Sequence, residues 1–167
     1  VGPMGSGKSA VGRQLAQRLN LEFIDSDAEI EARTGVDIAY IFEREGEAGF
    51  RSREAEVIDA LSRRDRVLVS TGGGAILDAS TRERLRARGR VVYLRTSVDQ
   101  QLARTRRSND RPLLNNDDPR GTLERLFEQR APLYTEVAEI VVDTDGRKVK
   151  AVVDQICHQL GIDGVEP

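Results

Sequence analysis

The segment Gly2–Ser9 restricts the possible folds of this chain more than any other part of the sequence. It reads Gly-Pro-Met-Gly-Ser-Gly-Lys-Ser and matches the phosphate-binding loop (P-loop) pattern G-x-x-x-x-G-K-[ST]. Its glycines allow successive backbone N–H groups to turn inward around phosphate oxygens, and the helix that follows adds the positive end of its dipole. We expect Lys8 to reach the β- and γ-phosphates of a nucleotide and Ser9 to bind Mg²⁺. The nucleotide-binding residues that the loop predicts are Gly5, Ser6, Gly7, Lys8, Ser9 and Ala10.

Apolar residues follow two different periods along the chain. Val11, Leu15 and Leu19 recur every four residues and predict a helix, whereas β-branched runs such as 67–71 and 91–94 predict strands. Further apolar positions predict a helical stretch that ends near Gly46, a helix that starts near Glu47, and a helix from about Gly121 to Arg130. Strands that alternate with helices predict an α/β fold, a P-loop NTPase-type parallel sheet with helices on both faces. We expect residues 1–167 to form a single domain. Only Val1 precedes the P-loop, so the strand that such a loop normally follows is expected to be missing from this chain.

Composition and charge argue against two classes of function. The net charge is −2 and aromatic residues make up 4% of the chain, whereas a general nucleic-acid binder usually has a strongly basic domain and aromatic side chains for base stacking. No apolar run approaches the roughly 18 residues that a membrane-spanning helix requires. The single cysteine, Cys157, cannot form an internal disulfide, which fits a reducing compartment. We therefore expect a cytoplasmic protein that binds neither nucleic acid nor membrane.

Two short segments follow predicted strands at the edge where ligands bind to parallel sheets. Asp25 and Asp27 come after the strand 21–24, so their carboxylates point the same way if the strand geometry continues. One carboxylate is suited to hold Mg²⁺ through water and the other to accept a proton or bind hydroxyls, although helix capping explains either aspartate equally well. Gly72–Gly74 follow the strand 67–71 and expose backbone N–H groups, with a flexible turn as the alternative.

Six motifs occur in an order that closely resembles the shikimate kinase family. They are the P-loop, Asp-Ser-Asp at 25–27, Gly-Glu-Ala-Gly-Phe-Arg at 46–51, Ser-Thr-Gly-Gly-Gly at 70–74, Arg-Pro-Leu-Leu at 111–114 and Arg-Ala-Pro-Leu-Tyr at 130–134. The resemblance implies a nucleoside-monophosphate-kinase-like fold, with a substrate-binding helical region at about 27–64 and a lid at about 106–119. It also implies that a monomer transfers the γ-phosphoryl group of ATP to the 3-hydroxyl of shikimate, on the route to chorismate and aromatic amino acids.

The resemblance assigns substrate-binding roles to five residues. Asp27 resembles the residue that binds the shikimate hydroxyls, and it is a candidate catalytic base. Arg51 and Arg130 resemble the pair that grips the shikimate carboxylate, beside the backbone of Gly73 and Gly74. A planar guanidinium binds a carboxylate through two parallel hydrogen bonds, so two arginines suit this substrate.

The resemblance also assigns roles at the nucleotide end of the site. Asp25 resembles the residue that holds Mg²⁺ through water. Arg111 resembles the lid arginine that contacts the transferred phosphate, and we expect it to act in catalysis together with Lys8. Arg104 resembles the arginine that packs on adenine, and Arg147 lies in the loop that closes the adenine site.

Two other functions stay open at this point. Another small-molecule P-loop kinase, such as a gluconate kinase, also acts on a substrate with hydroxyls and a carboxylate, but the three glycines together with both arginines are not expected there. A P-loop regulatory or nucleotide-sensing module without transfer activity is the other alternative, and the intact Lys8, Ser9, Asp25 and Asp27 argue against it. We expect ATP and shikimate as the partners and Mg²⁺ as the cofactor.

Overall fold

Helices and short strands alternate along residues 1–105 and 117–162, which the computed structural model describes. The helices are α1 (Lys8–Arg18), α2 (Ser26–Thr34), α3 (Ile38–Leu61), α4 (Ala79–Arg88), α5 (Val98–Thr105), α6 (Pro119–Val137) and α7 (Val149–Leu160). The strands are β1 (Glu22–Asp25), β2 (Val67–Ser70), β3 (Val92–Arg95) and β4 (Ile140–Asp143). A 3₁₀ turn at Ala75–Leu77, which the sequence analysis did not predict, leads towards α4. The alternation confirms the predicted α/β class.

The strands are parallel and form two pairs in the described part of the chain. β1 lies beside β2, and β3 lies beside β4 with Val92 opposite Ile140. Val1 extends the second pair, because its amino group donates to Val92 O at 2.8 Å and its carbonyl accepts from Leu94 N at 3.0 Å. Bonds to alternate residues of the neighbour are typical of a parallel ladder. Val1 therefore holds the strand position beside β3, directly ahead of the P-loop.

Helices cover both faces of the strands, as the sequence analysis predicted. One core lies between α1, α7 and the pair β3–β4, and it contains Val11, Leu15, Leu94, Val142, Val152, Val153 and Ile156. A second core, on α2 and α3, contains Ile30, Ile41, Phe50, Val57 and Leu61. A third core joins α6 to β3 and contains Ile76, Val91, Tyr93, Tyr134 and Val137. Tyr93 and Leu94 are neighbours on β3 and enter different cores, because successive side chains of a strand point to opposite faces.

Two aspartates and a glycine shape the helical region that follows β1. Asp25 caps α2 by accepting a bond from Asp27 N at 3.1 Å, and Asp37 caps α3 by accepting one from Tyr40 N at 2.7 Å. Gly46 interrupts α3 with φ 69° and ψ −175°, a conformation that residues with a side chain rarely adopt. The prediction that one helix ends near Gly46 and another begins there is therefore confirmed.

Helix α6 is longer than the sequence analysis predicted. The prediction ended it near Arg130, but the helix continues through Pro132 to Val137. Pro132 cannot donate a backbone hydrogen bond, which normally ends a helix. Burial of Tyr134 and Val137 in the core between α6 and β3 outweighs that loss. The predicted end was wrong because the helical period alone does not include this tertiary burial.

The predicted lid lies mostly outside the described residues. Positions 106–116, which include Arg111, are outside them. At the other end of the predicted lid, Asp118 caps α6 by accepting a bond from Gly121 N at 2.9 Å, and Pro119 is the first residue of that helix. The last residues of the predicted lid therefore belong to α6. Among the described helices, none is long and apolar enough to cross a bilayer.

The interruption at Gly46 yields a prediction about stability. Gly46→Ala should lower the free energy of unfolding by about 1–3 kcal/mol, because a positive φ combined with ψ near 180° is a conformation essentially restricted to glycine. A Cβ at this position meets no atom within 4 Å, so the cost arises from the backbone alone. Gly89→Ala is the matched control, since Gly89 has φ −156° and room for a Cβ. Urea denaturation should show a lower midpoint for the first variant only, and equal midpoints would contradict the strain assigned to Gly46.

Candidate active site

A cavity of about 810 Å³ opens at the carboxyl ends of β1 and β2, beside the first turn of α1. Ligands of open parallel sheets bind at this edge. Most of the residues that the sequence analysis selected line the cavity, namely Gly5, Gly7, Lys8, Ser9, Asp25, Asp27, Arg51, Gly73, Gly74, Arg104 and Arg130. They come from segments that are far apart in sequence, so the fold brings the separate motifs to one place.

The P-loop leads directly into the N-terminus of α1. Gly7 precedes the helix with φ 89°, and Lys8 is the first helical residue, so the positive end of the helix dipole lies at the cavity. The Lys8 ammonium donates to the carbonyl of Pro3 at 2.8 Å, which folds the side chain back across the loop. The dipole and the ammonium together favour the binding of an anion such as a nucleotide phosphate.

Ser9 and Asp25, the two residues predicted to hold Mg²⁺, lie next to each other at the cavity. The Ser9 hydroxyl donates to Asp25 Oδ2 at 2.9 Å, while Asp25 Oδ1 accepts the bond that caps α2. Asp25 therefore caps a helix and still presents a carboxylate oxygen to the P-loop, so the cap is compatible with the role predicted for this residue. Mg²⁺ binds through oxygen ligands, usually one or two protein groups together with substrate phosphates, and these two residues fit that requirement.

Charged side chains lie so close to the backbone of Gly72–Gly74 that Gly72 and Gly74 have no room for a side chain of their own. A Cβ on the third glycine would lie 2.2 Å from a guanidinium nitrogen of Arg51. A Cβ on the first glycine would lie 2.3 Å from Glu54 Oε1 and 2.8 Å from Asp27 Oδ1. The glycines therefore permit charged side chains from two helices to pack directly against the backbone.

Arg51 is held by two glutamates of its own helix. Its NH1 donates to Glu54 at 2.6 Å, and its Nε and NH2 donate to Glu47 at 3.3 and 3.1 Å. The Glu54 side chain is 2% exposed, and this burial raises the pKa of its carboxyl although the charge of Arg51 opposes the shift. Burial by itself lowers the pKa of Arg51, but the charges and hydrogen bonds of both glutamates outweigh it, so the value is raised. The sequence analysis missed Glu54, although its position three residues after Arg51 is the signal for such a pair.

Helix α6 contributes Arg130 and Tyr134, which lie one turn apart. Arg130 is 6% exposed, and its Nε has no hydrogen-bond partner among the described residues. The Tyr134 hydroxyl donates to the carbonyl of Gly73, and its ring stacks on Tyr93 with the centroids 4.9 Å apart. Burial raises the pKa of Tyr134, so the hydroxyl keeps its proton and remains a donor. A buried guanidinium with an unused N–H group is suited to bind an anion.

The two arginines predicted for the adenine end of the site are both engaged in hydrogen bonds. Arg104 donates to Gly5 O at 2.8 Å and to Thr144 O at 3.0 Å, which connects the P-loop to the loop after β4. Arg147 donates to the side chain of Gln155 on α7. The predicted nucleotide-binding residues that lie in the described part of the chain but do not line the cavity are Ser6, Ala10 and Arg147.

Similarity to known proteins decides the family. The family model for shikimate kinase matches residues 4–161 of the chain. The chain belongs to the shikimate kinase family. It is 56% identical over 161 residues to the shikimate kinase of Shewanella amazonensis, which covers 96% of this chain and 94% of that relative. It matches the structure of the shikimate kinase from Acinetobacter baumannii in complex with shikimate with a TM-score of 0.94 and 46% identity, covering 99% of this chain and 92% of that one.

Membership in the shikimate kinase family confirms the predicted fold and the predicted activity. The chain is an ATP-dependent phosphotransferase with an alcohol group as the acceptor, and its function is that of a shikimate kinase. A gluconokinase from Sinorhizobium meliloti matches with a TM-score of 0.57 at 20% identity, covering 96% of this chain and 89% of that one, and this likeness shows a shared fold alone. The family assignment therefore overrides both alternatives, the gluconate kinase and the module without transfer activity.

The stacked tyrosines of this shikimate kinase site provide a matched test. Tyr134→Phe keeps the ring on Tyr93 but leaves the carbonyl of Gly73 without its donor, which should lower the free energy of unfolding by about 1–3 kcal/mol. Tyr93→Phe is the control, because the Tyr93 hydroxyl is buried and has no hydrogen-bond partner among the described residues. Thermal denaturation should show a loss of stability for the first variant and no loss for the second. Equal losses would mean that the bond from Tyr134 to Gly73 contributes nothing specific.

Proposed function

We propose that this cavity transfers the γ-phosphoryl group of ATP to the 3-hydroxyl of shikimate, which yields shikimate 3-phosphate and ADP. The observation that carries the proposal is that one cavity combines a P-loop with two arginines and an aspartate suited to a hydroxylated carboxylic acid. The Acinetobacter baumannii relative, whose structure matches this one closely, is a complex with shikimate. The product would serve the route to chorismate and aromatic amino acids.

Arg51 and Arg130 would bind the shikimate carboxylate. They come from α3 and α6 and line the same cavity, beside the backbone of Gly73 and Gly74. Glu54 fixes the orientation of Arg51, and Arg130 retains an Nε that bonds to no described residue. Two planar guanidinium groups offer the paired donors that a carboxylate accepts, and this geometry favours a carboxylate over a single-point anion.

Asp27 would bind the hydroxyls of shikimate and orient or accept the proton of the attacking 3-hydroxyl. It lies in the first turn of α2, with Oδ1 next to the backbone of Gly72. A carboxylate has enough acceptor positions for two neighbouring hydroxyls. Phosphoryl transfer depends mainly on positioning and on charge stabilisation, so a hydroxyl held in line with the γ-phosphate accounts for much of the catalysis.

Lys8 would neutralise the β- and γ-phosphates from the start of α1, where the helix dipole adds to its charge. Ser9 and Asp25 are the residues that would hold Mg²⁺, the first directly and the second through water. When bound, the metal ion would supply further neutralisation of the phosphate charge.

Three further arginines would complete the nucleotide end of the site. Arg104 would pack on the adenine, next to the P-loop to which it bonds through Gly5. Arg147 would belong to the loop that closes the adenine site. Arg111, which lies outside the described residues, would contact the transferred phosphate from the lid.

The enzyme would be a cytoplasmic monomer that binds no nucleic acid. Tyr40 is the one large hydrophobic side chain that is exposed in residues 1–105 and 117–162, at 45%. The described surface therefore offers little contiguous apolar area to a second copy. Cys157 is buried and forms no disulfide, which is consistent with a reducing compartment.

Replacement of Arg51 or Arg130 should weaken the binding of shikimate and leave the binding of ATP nearly unchanged. Arg51→Ala and Arg130→Ala should each weaken shikimate binding by about 2–5 kcal/mol, because a charged hydrogen-bond partner inside the cavity is lost. The KM for ATP should change little, and lysine at either position should restore binding only in part. Arg53→Ala is the matched control, since Arg53 lies on the same helix but pairs with Glu45 at the surface. Steady-state kinetics with each substrate varied in turn tests this, and equal changes in both KM values would contradict it.

Replacement of the P-loop lysine should affect turnover rather than folding. Lys8→Ala should reduce kcat by a factor of about 10² to 10³, because charge stabilisation of the transferring phosphoryl group is lost. Lys150→Ala, at an exposed position on α7, serves as the control and should retain activity. A coupled assay of ADP release measures both variants with shikimate or gluconate as the acceptor. Near-normal turnover by Lys8→Ala would refute the role given to the lysine. ADP release with gluconate but not with shikimate would refute the proposed substrate.

A further inference from the structure

The substrate end of the cavity contains a buried carboxylate for which the proposed reaction has no direct use. Glu54 is almost completely buried and lines the cavity. Buried acidic side chains are rare unless they are paired, and Arg51 provides that pair through Glu54 Oε2 at 2.6 Å. The other oxygen, Oε1, has no hydrogen-bond partner among the described residues. One oxygen of Glu54 is therefore available for a proton.

A second carboxylate approaches the same place from another helix. Glu54 Oε1 and Asp27 Oδ1 lie 2.3 and 2.8 Å from a single point, the position that a Cβ on Gly72 would occupy. Two carboxylates that approach one point in a buried site disfavour each other's charge, so the charge of Asp27 favours the protonated form of Glu54. Burial and the charge of Asp27 raise the pKa of Glu54, whereas Arg51 and Arg130 lower it. Tyr134 of α6 also faces Glu54, and it stays neutral because its own pKa is raised.

Shikimate binding changes the charge balance among the two carboxylates and the two arginines at this end of the cavity. When both carboxyls are ionised, Asp27 and Glu54 place two negative charges opposite the two positive charges of Arg51 and Arg130. The shikimate carboxylate adds a third negative charge, and it must share both arginines with the carboxylates already there. An unbalanced charge in a site from which water is displaced is costly, and a buried group relieves that cost by changing its protonation state.

We infer that shikimate binding is coupled to the uptake of one proton from solvent, which Glu54 binds at Oε1. The inference rests on the proposed function, in which Arg51 and Arg130 hold the substrate carboxylate. The O–H bond of Glu54 forms as a hydronium ion or a buffer acid in the solvent gives up its proton, and no other bond is made or broken. The protonated side chain keeps Oε2 as the acceptor for Arg51, so the arginine retains its position. The proton also removes the repulsion between Glu54 and Asp27.

Proton uptake gives the affinity for shikimate a definite dependence on pH. The added negative charge of the substrate raises the pKa of Glu54 further above its value in the empty cavity. Between these two values, each more basic pH unit weakens shikimate binding by up to tenfold, since one proton is taken up on binding. Below the lower value Glu54 is already protonated, and above the higher value it stays ionised, so the dependence disappears on both sides.

Isothermal titration calorimetry of the full chain with shikimate tests the inference. The observed heat in buffers that differ in ionisation enthalpy gives the number of protons taken up at each pH. The wild-type protein should take up a substantial fraction of one proton over part of the pH range above the usual pKa of a glutamate. Glu54→Gln keeps an oxygen acceptor for Arg51 but cannot be protonated, so it should bind shikimate without uptake and with constant affinity. Glu47→Gln alters the exposed partner of Arg51 and, as the matched control, should retain the uptake.

The possible results separate the two proposals. Shikimate binding by the wild-type protein without proton uptake at any pH tested would overturn the inference, and so would uptake that persists in Glu54→Gln. If the wild-type protein did not bind shikimate at all, the proposed function itself would fail. Should Glu54→Gln not fold, infrared difference spectra of the wild-type protein labelled with ¹³C-glutamate provide the answer. A labelled carboxylic-acid band should appear when shikimate binds, and its absence would overturn the inference.

Discussion

The substrate end of the site depends on three consecutive glycines at positions 72–74, because a side chain at the outer two would not fit. Charged groups from α2 and α3 occupy the space that a Cβ on the outer glycines would need, and the Tyr134 hydroxyl of α6 bonds to the carbonyl of the middle one. Three helices therefore meet at one stretch of backbone directly after β2. Because the cores hold β2 and these helices in place, a larger residue in this stretch would shift functional charges rather than a surface loop.

At this backbone, the carboxylates of the protein and the substrate anion compete for the N–H groups of the arginines. A partly buried arginine is stabilised by a carboxylate, and Glu54 holds Arg51 in the required orientation. Complete pairing would leave no donor for a substrate anion. The structure divides these tasks, since Arg51 is held by two glutamates whereas Arg130 keeps an Nε without a partner among the described residues. Arg51 is thus fixed before the substrate arrives, and Arg130 has an N–H group with which it can bind the substrate.

Features that depend on neighbouring residues could be predicted from the sequence, whereas features that depend on contacts between distant residues could not. The P-loop, the start of α1 and the break at Gly46 follow from residues next to each other, and the structure agrees with these predictions. The end of α6 was wrong because Tyr134 is buried against β3, which no local period reveals. Glu54 was missed for a related reason. A charged residue on a helix is expected at the surface, and its burial here depends on the space left by the distant Gly72.

The same glycine stretch also connects the two ends of the active site. A Cβ on Gly73 would lie 3.5 Å from Gly2 O and 3.6 Å from Met4 N, so little more than the space of one methyl group separates the middle glycine from the P-loop backbone. The phosphate-binding backbone and the substrate-binding backbone are therefore close neighbours, with no side chain of Gly73 between them. Phosphoryl transfer requires the acceptor hydroxyl and the γ-phosphate to be close and in line, and errors of about 1 Å are costly. A short distance between two backbone segments sets that spacing more rigidly than a connection through flexible side chains, because side chains can change rotamer.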